Sequence, residues 1–227
     1  MIILAFDCAG AACSVAVLRD ATVLARQSRA LTHGQAEVLL PMIQATLAEA
    51  GLRYGDLRVI ATTLGPGSFT GLRAGLAAAR GLALATGLPV IGVSTLEAAA
   101  HAVSPQEREG SSVLVAIDTR RDDLFVQGFA EDLRELAPAS VANAADAASN
   151  APPGPLVLAG DATAPLAAAL RAIGRDPNVA RAAGAIDVTV VARLAAQRLA
   201  EGHTPAPLRP LYLRAPDVTP APPRRAR

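Results

Sequence analysis

The sequence predicts an α/β protein made of two related halves, the second of them reduced. Three observations carry that prediction. Short apolar runs alternate with helical stretches through the first hundred residues. The segment Leu4-Ala5-Phe6-Asp7-Cys8 has a counterpart in Val115-Ala116-Ile117-Asp118-Thr119, each an apolar strand ending in Asp and a small residue. In both places a turn and a second strand follow, at residues 13–18 and 124–129.

Taken in order, residues 2–6, 14–18 and a run from Val23 read as a three-stranded meander, with a tight turn at Arg19-Asp20. A helix is expected over about 34–50, closed by Gly51. Its apolar residues Val38, Leu39, Leu40, Met42, Ile43 and Leu47 cover more than one stripe, so it buries two faces. Pro41 should kink it or push its regular part downstream. A strand at 59–64 leads through Gly65-Pro66-Gly67-Ser68-Phe69-Thr70-Gly71 into a second helix ending near Thr86. A strand at 89–93 and a helix at 95–103 complete the first half. The second half continues with a loose strand near Ser140-Val141, a strand at 156–159, and helices near 164–173 and 187–200. The expected divisions are an α/β domain at 1–104, a smaller one at 105–203, and a returning segment with a Pro- and Arg-rich, disordered tail at 204–227.

Composition excludes several classes of function. With 52% hydrophobic and 18% charged residues, the chain is not intrinsically disordered. It has 227 residues, no Trp, four Phe and two Tyr, too few rings for a stacking surface on single-stranded nucleic acid. Twenty-one basic against 20 acidic residues leave a net charge of +1, which excludes a strong electrostatic footprint for nucleic acid or an anionic membrane. All the basic residues are Arg, which excludes a Schiff-base or phosphate-loop lysine. Cys8 and Cys13 make no disulfide framework and read as buried small hydrophobes. The longest uncharged stretch, between Arg80 and Glu97, is too short for a membrane span. A cytoplasmic protein with no membrane partner is expected.

The paired strand–Asp–turn–strand units resemble the actin, hexokinase and Hsp70 ATPase superfamily of ribonuclease H-like folds. There, two turns grip the phosphates of ATP. Such a turn needs small residues, so that backbone N–H groups can approach the anion. Cys8-Ala9-Gly10-Ala11-Ala12 meets that need, with Asp7 and Gly10 marking a degenerate phosphate turn. Arg120-Arg121-Asp122-Asp123 does not, and Ala159-Gly160-Asp161 offers one glycine for the adenosine side. No cofactor is expected on this chain. No metal is expected either, because His33, His101 and His203 lack ligand spacing. No Gly-x-Ser-x-Gly nucleophile motif occurs, so Ser68 or Thr70 reads as a helix cap. The second helix is punctuated by Gly71, Gly75 and Gly81 beside Ala78 and Ala79. Glycine in a helix costs ~1 kcal/mol against Ala, so the pattern signals close approach of another element. That element is either the chain's own sheet or a helix of another chain. The wide apolar surface of the preceding helix favours the second reading.

Several segments resemble the TsaB (YeaZ) family: Ile3-Leu4-Ala5-Phe6-Asp7, Ala12-Cys13-Ser14-Val15-Ala16, His33-Gly34-Gln35, Leu40-Pro41-Met42-Ile43, Gly65-Pro66-Gly67-Ser68-Phe69-Thr70-Gly71-Leu72-Arg73, Gly92-Val93-Ser94-Thr95-Leu96 and Pro210-Leu211-Tyr212-Leu213-Arg214. Cys8 stands where Thr is common. The resemblance implies a non-catalytic scaffold, required with TsaD and the ATPase TsaE. Together they transfer a threonylcarbamoyl group, supplied by TsaC as threonylcarbamoyl-AMP, to N6 of adenosine 37 in tRNAs reading codons that begin with A. It implies that ATP and a metal are used on the partners, and that tRNA is met only through the complex. It also implies direct pairing with TsaD through the two N-terminal helices, with Val38, Leu39, Met42, Ile43, Thr70, Gly71, Gly75, Ala78 and Ala79 at the interface. A homodimer in isolation stays open. The alternatives are a small-molecule phosphotransferase of the same superfamily and, behind it, a peptidase.

Overall fold

The computed structural model describes residues 1–31, 33–204 and 207–214. The tail expected at 215–227 lies outside the described residues. The first hairpin sets the pattern: β1 (Ile2–Asp7) pairs antiparallel with β2 (Ala12–Arg19), placing Asp7 opposite Ser14. β3 (Thr22–Ala30) extends the meander, and β4 (Val59–Thr63) and β5 (Val90–Val93) add parallel strands on the other side of β1. In the second half, β6 (Ser112–Asp118) pairs antiparallel with β7 (Leu124–Phe129), which pairs with β8 (Ser140–Ala142). β9 (Leu156–Ala159) and β10 (Asn178–Val179) run parallel to β6. The sheet orders are β3-β2-β1-β4-β5 and β10-β9-β6-β7-β8. Read from its antiparallel edge, the second repeats the first position for position. The duplication expected from the two Asp-ended strands is therefore present in the topology.

Helices α1 (Gln35–Glu49) and α2 (Phe69–Thr86) cover the outer face of the first sheet, over a core of Leu4, Phe6, Val15, Val17 and Ile60. α4 (Ala144–Ser149) and α5 (Thr163–Ala172) cover the second sheet over Leu114, Val126 and Leu158. Between the sheets lie α3 (Thr95–His101) and α6 (Val188–Ala200). Their placement is crossed. α6, from the second half of the chain, lies on β1, β2, β4 and β5, while α3, from the first half, lies on β6 and β7. One hydrophobic core thus runs from Ile3 and Val59 through Leu96 and Val191 to Val113 and Phe129.

Two details depart from the sequence reading. α1 runs unbroken through Pro41, whose ring is exposed, as is Glu37, whose carbonyl the ring leaves without its helical donor. α4 was not foreseen. Its six residues, mostly Ala, are too few to show a period, and its signal is Asn143, whose side chain accepts from the Asp146 amide at 2.8 Å.

The crossed helices are tied by one ion pair. Arg198 of α6 meets both carboxylate oxygens of Glu97 of α3 at 2.6 Å, and its other nitrogen donates to the Gly92 carbonyl of β5. The side chains are 29% and 19% exposed. Breaking a fully buried pair costs about 3–5 kcal/mol, and partial exposure reduces that to roughly 1–2 kcal/mol here. Glu97→Ala should lower the melting temperature by about 3–6 °C. An unchanged calorimetric melt would show that hydrophobic burial alone holds the helices.

Candidate functional site

The two Asp-ended strands bring their turns to one end of the molecule, on either side of a cleft of about 850 Å³. At the first turn, Asp7 is buried. Its Oδ1 accepts from Thr63 Oγ1 at 2.5 Å and from the Ala9 amide at 3.0 Å. Burial pushes its carboxyl above the ordinary carboxylate range, against the pull of Thr63 and of the Ala9 and Gly10 amides; Asp161 pushes the same way. The amides that could cradle a phosphate are therefore directed to the chain's own carboxylate.

The loop before α2 is locked onto the outside of this turn. The Ser68 amide donates to the Ala9 carbonyl at 2.7 Å. A Cβ on Gly67 would lie 2.5 Å from that same oxygen, and one on Gly71 would lie 1.8 Å from the Cys8 carbonyl oxygen. Both positions demand glycine because backbone meets backbone there. Beneath them, Cys8 and Cys13 are buried with their sulfurs 2.9 Å apart. Donation to Cys13, together with burial, pushes the Cys8 thiol up.

A pH dependence follows from Asp7. Because its folded value is raised, its contribution to stability is full below the ordinary 3.8 and is lost as pH rises through the folded value. Asp7→Asn removes that charge at nearly constant shape. The stability of the variant relative to the parent should therefore climb as pH increases from about 4 to 8. Urea unfolding across that range checks it, and a difference independent of pH would show that Asp7 stays unstrained by burial.

The second turn closes on itself in the same manner. Arg120 has a left-handed backbone, and its amide donates to Asp118 Oδ1 at 2.7 Å. Thr119 Oγ1 donates to Asp123, and the Asp118 amide donates to Asp161 Oδ1 at 2.8 Å. Gly160, the single glycine where the sequence reading looked for a glycine-rich adenosine side, has a structural duty. A Cβ there would lie 2.1 Å from the Ala116 carbonyl oxygen.

The returning segment spans the cleft mouth. The Leu211 amide donates to the Leu64 carbonyl at 2.7 Å, and Arg80 donates to the Leu208 carbonyl. The Tyr212 ring lies 5.4 Å from Phe69, whose face is covered by the Arg73 guanidinium at 3.8 Å. Arg214 then reaches the second half and pairs with Asp123. Sequence reasoning placed Tyr212 and Arg214 only within a resemblance segment. Their roles as ring partner and cross-cleft tether depend on contacts of high sequence separation. His33, which lacks metal-ligand spacing in the sequence, is exposed and lines the cleft.

The expected interface residues divide. Thr70 is exposed, and Val38 and Ala78 are half-buried. Leu39, Met42, Ile43, Gly71, Gly75 and Ala79 are buried in the chain's own fold. That corrects the sequence reading of the glycine face. Gly71 meets the first turn, and a Cβ on Gly75 would touch Thr62 Oγ1 of β4 at 3.7 Å. The outward ridges are different residues: Leu40, Pro41, Gln44, Ala45 and Ala48 on α1, and Arg73, Ala77, Arg80, Gly81 and Leu84 on α2. Leu84 is 88% exposed and Leu40 44%. Among the described residues no cluster of three or more His, Cys, Asp or Glu could hold a metal, and no helix is long and apolar enough to cross a membrane.

A duplicated five-stranded α/β unit with a cleft between paired Asp turns defines the actin/hexokinase/Hsp70 class of fold. The activator component A of (R)-2-hydroxyglutaryl-CoA dehydratase from Acidaminococcus fermentans shares that fold, with a TM-score of 0.54 at 11% identity over 88% of this chain and 99% of that one. Within the class, the family model for TsaD, tRNA N6-adenosine threonylcarbamoyltransferase, matches residues 30–209. The tRNA threonylcarbamoyladenosine biosynthesis protein TsaB of Escherichia coli is 40% identical over 132 residues, 58% of this chain and 56% of that one. YeaZ of Pseudomonas aeruginosa superposes with a TM-score of 0.75 at 26% identity, covering 93% of this chain and all of that one. The chain belongs to the TsaB (YeaZ) family.

Proposed function

We propose that this chain is the non-catalytic scaffold of a tRNA threonylcarbamoyladenosine-forming complex. It pairs with a TsaD-type transferase and acts with a TsaE-type ATPase in the transfer to N6 of adenosine 37, in the cytoplasm. Family membership supports a part in this modification, and two structural features together support the scaffold role. Each Asp turn commits an amide to its own carboxylate, Ala9 to Asp7 and Arg120 to Asp118, while α1 and α2 present an outward ridge rich in Leu, Ala and Gly. A phosphotransferase needs the first feature reversed, and a monomer has no use for the second. ATP, the metal and the tRNA are met through the partners. The pairing is tested by co-expressing the chain with its cognate TsaD-type protein and sizing the purified product by light scattering. A one-to-one complex is expected. Separate elution of the two proteins at micromolar concentration would refute the pairing.

A further inference from the structure

Cys8 and Cys13 are the chain's two cysteines, and the fold sets them side by side. The β1–β2 register ends with Asp7 opposite Ser14, so the next pair along the hairpin is Cys8 with Cys13. The parity of that ladder is fixed at its other end, where the Asp20 amide donates to the Met1 carbonyl. Residues 1 and 20 therefore form a hydrogen-bonded pair, as do 7 and 14, and 8 and 13 fall at a non-hydrogen-bonded position. Opposed Cα atoms there lie about 4.5 Å apart, within the range of about 4.4–6.8 Å that a disulfide spans. Both side chains point to the same face of the sheet, with Phe6 and Val15, and their sulfurs are 2.9 Å apart. Among the described residues, no His, Asp or Glu joins them in a group of three that could hold a metal.

We propose that Cys8 and Cys13 are an oxidation site, closed to a disulfide by a small peroxide and reopened by a thiol. Burial selects that class of oxidant, since hydrogen peroxide is little larger than water, whereas a glutathione-sized disulfide is shut out from both sulfurs. The Cys8 thiol donates to Cys13 and holds the Cys13 thiol below its usual range, which makes Cys13 the first nucleophile. Its thiolate attacks one peroxide oxygen, the O–O bond breaks, and the departing hydroxide leaves as water with the proton that Cys13 gave up. Cys8 then attacks the sulfenic sulfur of Cys13. The S–S bond forms, the S–O bond breaks, and hydroxide takes the Cys8 proton as a second water. Each thiol gives up one electron, and the peroxide gains two. The new bond closes a ring around residues 9–12, in the turn whose Cys8 carbonyl seats Gly71 and whose Ala9 carbonyl holds the Ser68 amide. Oxidation therefore stiffens the seat of α2.

Treatment of the reduced full chain with millimolar hydrogen peroxide at room temperature, then acid quench, alkylation in denaturant and tryptic mass mapping, tests this. The chain has no Lys and its first Arg is Arg19, so one peptide, Met1–Arg19, carries both cysteines. Fragment ions spanning Cys8 and Cys13 should become two hydrogen atoms lighter and lose both alkylation sites, and dithiothreitol should restore them. The oxidised chain should melt roughly 4–8 °C above the same sample after dithiothreitol, because a ring that fits the native turn restricts mainly the unfolded chain. In Cys8→Ser the first step has no resolving thiol, so Cys13 should go on to sulfinic acid, which dithiothreitol does not reverse. Cys8→Ala gives the same reading should the serine variant fold poorly. Oxidised glutathione at the same concentration should leave both thiols alkylatable. Thiols that stay alkylatable after peroxide, sulfinic acid in the parent, a disulfide between two chains, an oxidised chain that melts below the reduced one, or equal oxidation by glutathione disulfide would overturn the proposal.

Discussion

Gly71→Ala should unfold or severely destabilise this protein, while Gly75→Ala, one helical turn away, should leave it as stable or slightly more so. The added Cβ at position 71 falls 1.8 Å from the Cys8 carbonyl oxygen, so either α2 or the first turn must move. Neither moves cheaply. The turn is tied to Thr63 through Asp7, and the loop before α2 is hydrogen-bonded to Ala9. Backbone displacement in a tight core costs about 3 kcal/mol or more, which lowers the melting temperature by roughly 6–12 °C. At Gly75 the new methyl meets only Thr62 Oγ1, at an ordinary 3.7 Å, and Ala gains up to ~1 kcal/mol of helix propensity. Gly75→Leu, by contrast, overpacks the same seam and should cost about 1–3 kcal/mol. Thermal melts of the three variants check the order. Equal melts for Gly71→Ala and the parent would mean that α2 does not rest on the turn.

The second large effect concerns the outward ridge. Leu40→Glu/Leu84→Glu places two carboxylates on surfaces that are already solvated, so the monomer should melt within a few degrees of the parent. Burying those charges in an apolar interface without partners costs several kcal/mol. Affinity for the TsaD-type protein should fall by about a hundredfold or more, since each 1.4 kcal/mol is a factor of ten. Surface titration with purified partner reads the change. Unchanged affinity would move the interface off this ridge.

How far the sequence carried these conclusions depends on the range of the interactions involved. The duplicated strands were legible because each half encodes its own signal, an apolar run ended by Asp7 or Asp118. Glycine at 71 correctly reported close approach, whereas Gly75 leaves ordinary room for a methyl group. Spacing does not say which surface approaches, and the carbonyl of Cys8 lies 63 positions earlier. The interface was assigned to the glycine face for that reason, although the exposed ridge is carried by Leu40, Ala77 and Leu84. That Arg73 and Arg214 line the same cleft as Arg120 was not legible, because these residues are distant in the chain. The exchange of α3 and α6 between the sheets leaves no mark in either helix, since both are simply apolar on the faces they bury.

The central claim is that the chain is required for, yet does not catalyse, threonylcarbamoyl transfer. The most direct test reconstitutes the reaction from purified TsaC-, TsaD- and TsaE-type proteins, threonine, bicarbonate, ATP and unmodified tRNA, and quantifies threonylcarbamoyladenosine by mass spectrometry of the digested nucleosides. Product should form only when this chain is added, should be lost with Leu40→Glu/Leu84→Glu, and should be absent when the chain replaces the TsaD-type protein. Equal product without the chain, or turnover by the chain in place of its partner, would contradict the scaffold account.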